Sequence, residues 1–288
     1  MASWGAGRRL RVRHRTEYAY GSPVMVSFNE LRMTPLDRDG QVLISHNLRL
    51  QPRAVVQSYI DYWGALVEAF DVHEAHRSLE IIATSTVDTV GGHGAAPGVD
   101  WSVVQASDVQ DHWCEFVAPT AYVDDAATDE DRADLVETLR RLSTPGEAIR
   151  GAVDAVRDRL TYTPGATSVS TTAHEAWMAG NGVCQDFSHA TLSLLRSLRI
   201  PARYVSGYLH VPDDAIGETV HGESHAWVEA WDGAWEPFDP TNDRLVGPEH
   251  VVVARGRDYA DVPPTKGIFS GGKWTDLTVD VEITQLPR

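Results

Sequence analysis

The sequence predicts an α+β fold in which a strand-rich first third is followed by a part that combines helices with strands. Three observations carry this prediction. Short runs with strand-like patterns, separated by turn sequences, fill residues 10–87. A stretch of small residues at 91–98 then interrupts the pattern. Beyond residue 130, apolar residues recur at helical spacing.

The first third is predicted to form a β-sandwich. Residues 10–15 alternate apolar with basic side chains, which is the period of a half-buried strand whose arginines face water. Similar runs follow, separated by turns at Gly21-Ser22-Pro23 and Trp63-Gly64. These runs are 24–28, 47–51, 54–59, 66–70 and 79–87. Many short strands with turns between them are typical of sandwiches.

Residues 91–98, Gly-Gly-His-Gly-Ala-Ala-Pro-Gly, have no apolar periodicity and are interpreted as an interdomain linker. The sequence therefore divides into a domain at 1–95 and a second domain at 96–288. Helices are predicted in the second domain at 132–142, 144–160, 172–177 and from Cys184 to before Pro201. Strands are predicted there at 202–209 and 277–283.

Composition excludes several classes of function. A net charge of −16 and a pI near 5.1 argue against a nucleic-acid partner, because such proteins carry basic patches. No apolar run approaches the roughly 20 residues of a membrane helix, so neither a membrane span nor an anchor is expected. Cys114 and Cys184 are both expected to be free thiols, which fits a cytoplasmic location.

Cys184 follows the turn-forming sequence Gly180-Asn181-Gly182-Val183 and begins a predicted helix. A helix start presents unsatisfied N–H groups and a positive dipole end, both of which favour the thiolate. Most buried cysteines only pack in a core, so this position alone does not decide between a reactive thiol and a structural cysteine. Further along the chain, His225 could supply the base for this thiol, and Asp239 could supply a carboxylate that orients the His225 imidazole.

Three motifs resemble the transglutaminase-like superfamily, a group of thiol enzymes on a papain-like fold. They are GVCQDFSH at 182–189, SHAWVEAW at 224–231 and WEPFDPT at 235–241. Residues 16–20 and 29–35 also resemble the bacterial transglutaminase-like N-terminal region. The resemblance implies a papain-like core, with a Cys-bearing helix packed on an antiparallel sheet, after a β-sandwich-like N-terminal domain. It also implies that Cys184, His225 and Asp239 form a catalytic triad.

In that role the thiolate attacks an amide carbonyl, the imidazole moves the proton and the carboxylate orients the imidazole. The backbone N–H of Cys184 is the expected oxyanion donor, with Trp177 and Tyr162 as candidates for the second donor. The expected reaction is hydrolysis of a protein or peptide amide, by a peptidase or a deamidase. Transamidation to an amine, or a non-catalytic protein-binding module, are the alternatives.

No metal or other cofactor is expected. His221 lies four residues before His225, but in a loop and strand that spacing does not converge on an ion as it would on a helix. The acidic residues at 124–131 lack the spacing of an EF-hand and suit the first turn of a helix. The role of Arg257-Asp258-Tyr259 stays open between a cleft wall and structural ion pairs.

The triad also predicts the geometry of one hairpin. A two-residue turn at Asp232-Gly233 would place His225 and Asp239 on opposite faces of the sheet. A three-residue turn, with Gly233 at positive φ, would place them on the same face. The sequence therefore predicts an odd-length turn or an equivalent bulge between Trp231 and Trp235.

Overall fold

The computed structural model describes residues 7–37, 40–90, 98–210, 216–222, 224–242 and 244–288. The strands in these ranges are β1 Arg9–Leu31, β2 Gln41–Gln51, β3 Val56–Ile60, β4 Leu66–Val72, β5 His76–Thr89, β6 Thr161–Tyr162, β7 Asn181–Gly182, β8 Ala202–Leu209, β9 Thr219–Gly222, β10 His225–Trp231, β11 Trp235–Asp239, β12 Arg244–Leu245, β13 His250–Gly256 and β14 Thr265–Leu286. The α-helices are α1 Trp101–Val104, α2 Ser107–His112, α3 Cys114–Val117, α4 Glu130–Arg140, α5 Pro145–Arg159, α6 Ala173–Ala179 and α7 Cys184–Ser197.

The first sheet is antiparallel and is built around β1, a single strand of 23 residues. The first half of β1 pairs with β5, and its last residues pair with β4. Register shifts between Ala19 and Val26 bend the strand between these two segments. Val24, Phe70 and Leu79 lie together in an apolar core cluster of this strand-rich N-terminal region, whose strands β1 to β5 all belong to the one sheet.

The two ends of the chain meet in this sheet. Over most of its length β14 pairs with β1, from Arg9 opposite Leu286 to Leu31 opposite Thr265. The sequence indicates a strand at 277–283 but not this partner, because periodicity reports a strand's faces and not its neighbours. The predicted boundary between residues 95 and 96 lies outside the described residues and stays a prediction.

The second sheet has the order β12-β11-β10-β8-β13, and α7 packs against β10 and β8. Every residue of α7 after Cys184 is buried, as expected for a helix at the centre of a core. Leu192 and Leu195 of α7 lie in one apolar cluster with Val228 of β10. Leu10 and Val281 of the first sheet belong to the same cluster, so this core continues into the first sheet.

Capping side chains fix the helices around this core. Thr144 and Glu147 form a reciprocal capping box at the start of α5. Asp129 accepts the N–H groups of Asp131 and Arg132 at the start of α4, and Glu130 and Asp131 lie in the first turn of that helix. None of the helices in the described part of the chain combines the length and the apolar character that a membrane crossing requires.

The predicted α+β class is confirmed. A helix that begins at Cys184 packs on an antiparallel sheet, and a strand-rich region precedes it.

Candidate active site

Two glycines place Cys184 at the start of α7. Gly180 ends α6 with a φ of 68°, a left-handed conformation that glycine adopts without strain. A Cβ on Gly182 would lie 2.5 Å from the Cβ of Asp186, so only glycine fits there. The chain can therefore turn directly into the helix, with the thiol of Cys184 in its first turn and half-buried.

Asp186 caps this helix start, a role that our sequence analysis missed. Its Oδ2 accepts the backbone N–H of Val183 at 2.7 Å and the hydroxyl of Thr167 at 2.6 Å. Burial raises the pKa of this carboxyl, although both hydrogen bonds act in the opposite direction. A Glu or Asp three residues after the N-cap is the pattern that could have indicated it.

The hairpin between β10 and β11 has the predicted three-residue turn. Trp231 lies opposite Trp235, which leaves Asp232, Gly233 and Ala234 in the turn, and Gly233 has a φ of 87°. The prediction of an odd-length turn is confirmed.

His225 and Asp239 consequently lie on one face of the sheet and in contact. The His225 Nε2 atom is 2.8 Å from Asp239 Oδ2. Both side chains are shielded from water, with exposed fractions of 10% and 0%. The charged pair is therefore poorly screened by solvent.

The Asp239 carboxylate accepts several further hydrogen bonds. Its Oδ1 accepts the N–H groups of Thr241 at 3.0 Å and Asn242 at 3.2 Å. Its Oδ2 accepts from Asn242 Nδ2 at 3.1 Å and lies 3.3 Å from His250 Nε2. Burial alone would raise the pKa of Asp239, but the bonds from His225 and His250 hold it well below its usual range.

His225 also contacts the Cys184 thiol. Burial lowers the pKa of the imidazole, but the hydrogen bonds to Asp239 and Cys184 outweigh it and raise the pKa of His225 to about 10. The Sγ atom lies 4.0 Å from the carbonyl oxygen of Ser224, beside the imidazole. The structure thus brings together all three residues that the sequence predicts for the site.

An open cavity of about 290 Å³ leads to Cys184 and His225. One side comes from the core, including Tyr162 and Tyr259. The other side comes from the first sheet, with His14 and Thr16 on β1 and Leu277 and Val279 on β14. The sequence does not indicate that any first-sheet residue lies in the site, because the pairing of β1 with β14 joins segments from opposite ends of the sequence.

The two candidates for the second oxyanion donor lie in different places. Tyr162 lines the cavity and is half-exposed. Trp177 is 7% exposed, belongs to the core cluster and lies under the guanidinium of Arg159. Of these two residues, only Tyr162 borders the cleft.

The motif Arg257-Asp258-Tyr259 provides both a structural ion pair and part of the cleft wall, the two roles that the sequence leaves open. Arg257 forms an ion pair with Asp261 at 2.9 Å. The backbone N–H of Tyr259 donates to His189 Nε2 at 3.2 Å, and the Tyr259 ring lines the cleft. Burial lowers the pKa of His189 to about 3, so this histidine is a neutral anchor between α7 and the cleft wall.

One group of side chains in the site has the spacing of metal ligands. Single ligand atoms of His225, Asp239 and His250 all lie within 4.8 Å of one another. The hydrogen bonds to Asp239 Oδ2 account for this spacing, because both imidazole Nε2 atoms are directed at that oxygen. The absence of a metal stays a prediction.

Comparison with known families and proteins agrees with this fold. The bacterial transglutaminase-like N-terminal region matches residues 10–88, and the transglutaminase-like superfamily matches residues 133–240. The chain belongs to the transglutaminase-like superfamily.

The most similar relatives include an uncharacterized protein of Mycobacterium leprae, 42% identical over 96% of this chain and 99% of its own length. An uncharacterized protein of Mycobacterium tuberculosis is 32% identical over 95% of this chain and 92% of its own length. A protein-glutamine gamma-glutamyltransferase of Pseudomonas aeruginosa is 29% identical over 49% of this chain and 23% of its own length.

Among solved structures, a proposed cysteine protease from Cytophaga hutchinsonii has the same fold. Its TM-score is 0.73 at 23% identity, and the match covers 99% of this chain and 93% of that one. The transglutaminase-like core with a strand-rich N-terminal region is thereby established as the fold.

Proposed function

We propose that the chain is a thiol-dependent enzyme that cleaves amide bonds through Cys184, His225 and Asp239, most readily by hydrolysis. The observation that carries this proposal is the position of the His225 ring, which contacts Asp239 through Nε2 and also contacts the Cys184 thiol. Such an imidazole can hold the proton of the thiol while a buried carboxylate stabilises its positive charge.

The proposed reaction begins with transfer of the thiol proton to His225 and attack of the Cys184 thiolate on the amide carbonyl carbon. In this proposal the backbone N–H of Cys184, at the start of α7, donates to the oxyanion that forms, and Tyr162, which borders the same cleft, is the candidate for the second donor. The imidazolium of His225 then gives its proton to the leaving amine, and a thioester forms as the C–N bond breaks. Water, deprotonated by His225, attacks the thioester to release the acid and the thiol.

Hydrolysis is favoured over transamidation by concentration. Water exceeds a millimolar amine by roughly 10⁴-fold, so transamidation needs about 5.5 kcal/mol of selectivity for the amine. Among the described residues that line the cleft, none is an aspartate or a glutamate that would hold a cationic amine. The similarity to a protein-glutamine gamma-glutamyltransferase keeps transamidation as the alternative.

The proposed substrate is a protein or peptide amide, and not a nucleic acid or a membrane lipid. A nucleic-acid substrate is disfavoured because the chain has a net charge of −16, which repels the phosphate backbone. Two free thiols, Cys114 and Cys184, support a cytoplasmic enzyme.

The test is mass spectrometry of peptide amides incubated with the enzyme, with and without a primary amine. Conversion of a carboxamide to a carboxylate identifies a deamidase, a shortened peptide identifies a peptidase, and an amine adduct identifies a transamidase. Each product must disappear in Cys184→Ala. If wild-type protein gives no product and a thiol-directed amide probe does not label Cys184, the chain is a binding module instead.

A further inference from the structure

The Asp239 carboxylate lies between two imidazoles. His225 Nε2 is 2.8 Å from Oδ2, and His250 Nε2 is 3.3 Å from the same oxygen. The first contact belongs to the proposed triad. The second comes from the first residue of β13, an edge strand that β8 and β10 separate from β11, and the proposed chemistry does not use it.

The surroundings of His250 fix which of its nitrogens carries a proton. The backbone N–H of Gly247 donates to Nδ1 at 3.2 Å, so Nδ1 acts as the acceptor. In a neutral ring the proton is then on Nε2, which is the atom that faces Asp239. Glu249 is the other charged group beside the ring, and its Oε1 lies 3.7 Å from Nδ1, beyond hydrogen-bond range.

His250 is held rigidly in this orientation. Its side chain is 1% exposed, and its ring meets the indole of Trp227 edge-on at a centroid distance of 5.2 Å. The backbone fixes Asp239 Oδ1 through Thr241 and Asn242, whereas Oδ2 depends on side chains alone. Besides His225, two side chains contact Oδ2: Asn242 through Nδ2 at 3.1 Å, and the buried ring of His250. A donor whose own position is fixed by packing helps to keep Oδ2 directed at His225.

We propose that His250 is a positioning residue for the triad. It donates its Nε2 proton to Asp239 Oδ2 and so keeps the carboxylate aligned with His225, without touching the substrate or the thiol. This inference rests on the proposed function, which assigns His225 and Asp239 their roles. It adds a fourth residue to the three of the proposed triad, and this residue comes from a strand, β13, without a recognisable catalytic motif.

Two substitutions separate positioning from packing. His250→Leu keeps an apolar side chain in the pocket but removes the donor, whereas His250→Gln retains an N–H₂ group that can reach the position of Nε2. We expect kcat to fall by about 10- to 100-fold in His250→Leu with KM within about twofold, and to recover in large part in His250→Gln. Thermal unfolding of both variants establishes that each is folded.

A second readout does not require a substrate. The rate of alkylation of Cys184 by iodoacetamide, measured against pH, reports the thiolate that His225 stabilises. Poorer alignment of Asp239 stabilises the His225 imidazolium less, and therefore also the thiolate that pairs with it. In His250→Leu the pH at which the alkylation rate rises should move to a higher value, whereas in His250→Gln it should stay near that of the wild type.

The two proposals can fail separately. If folded His250→Leu keeps the wild-type kcat and alkylation profile, or if both variants lose activity equally, His250 has only a packing role. If the wild-type protein turns over no amide while the alkylation limb still moves in His250→Leu alone, the positioning of Asp239 stands and the proposed reaction fails.

Discussion

Trp231 lies directly opposite Trp235 across the turn between β10 and β11, and this pairing determines which face carries His225 and Asp239. Continuing the same register, Val228 pairs with Phe238, so the next pair brings Asp239 to the face of His225. The 2.8 Å contact between these two side chains follows from a turn of three residues rather than two.

Gly233 is the residue in this turn that depends on backbone freedom, because its φ is 87°. We expect Gly233→Ala to lower the free energy of unfolding by about 1 kcal/mol, since a Cβ is strained in that conformation. Gly233→Asn should cost less, because asparagine tolerates positive φ. Urea denaturation measures the free energy of unfolding of both variants. If Gly233→Ala is as stable as the wild type, a Cβ at this position is not strained.

Cys184→Ala should abolish turnover, with a loss of about 10³-fold or more, because the nucleophile is removed. Its far-UV circular dichroism should remain that of the wild type, since the substitution removes one sulfur at a helix start. Cys114 is exposed, and Cys114→Ala is the matched control that should leave activity unchanged. An acyl-enzyme on Cys114 and not on Cys184 would overturn the assignment.

The local parts of this site could be predicted from the sequence. Gly180 and Gly182 indicate the turn into α7, and counting residues from His225 to Asp239 indicates the turn length. Both depend on neighbours within a few positions along the chain, where backbone conformation and side-chain alternation follow directly from residue type.

The distant parts could not be predicted from the sequence. His250 contacts Asp239 although β8 and β10 lie between their two strands in the sheet, and Leu277 reaches the cleft on β14, which pairs with β1. Periodicity shows that a segment is a strand and which face is buried, but it does not identify the partner strand. Nothing adjacent to His250 in the sequence distinguishes it from a packed core histidine.

The rate of amide cleavage should show a bell-shaped dependence on pH. Activity falls at low pH as the thiolate–imidazolium pair gains a proton and the nucleophile is lost. It falls again as the pH rises through the pKa of His225, about 10, because the imidazolium that protonates the leaving amine is lost. Asp239, whose pKa lies well below its usual range, stays ionised throughout and contributes no limb.

The measurement is kcat/KM across pH with a substrate for which chemistry limits the rate. Asp239→Asn removes the carboxylate charge that raises the pKa of His225, so the basic limb should move to lower pH. A rate that is independent of pH over both limbs, or a basic limb unmoved in Asp239→Asn, would contradict the thiolate–imidazolium pair.

The wall of the cleft that comes from β14 should control substrate binding. Leu277 and Val279 are 43% and 41% exposed and line the cavity that contains Cys184. An apolar substrate side chain that covers them leaves water, which favours binding. Leu277→Asp places a charge on this wall, so we expect kcat/KM for a peptide amide with an apolar side chain to fall by about 10-fold, through KM.

Thr278 supplies the matched control. It lies between the two apolar residues, is exposed, and points to the other face of the strand because side chains alternate. Thr278→Asp therefore adds the same charge to the same strand without facing the cleft, and its KM should stay within about twofold of the wild type. If Leu277→Asp and Thr278→Asp change KM equally, the effect comes from the charge of the strand at long range, and the first sheet does not form a wall of the substrate site.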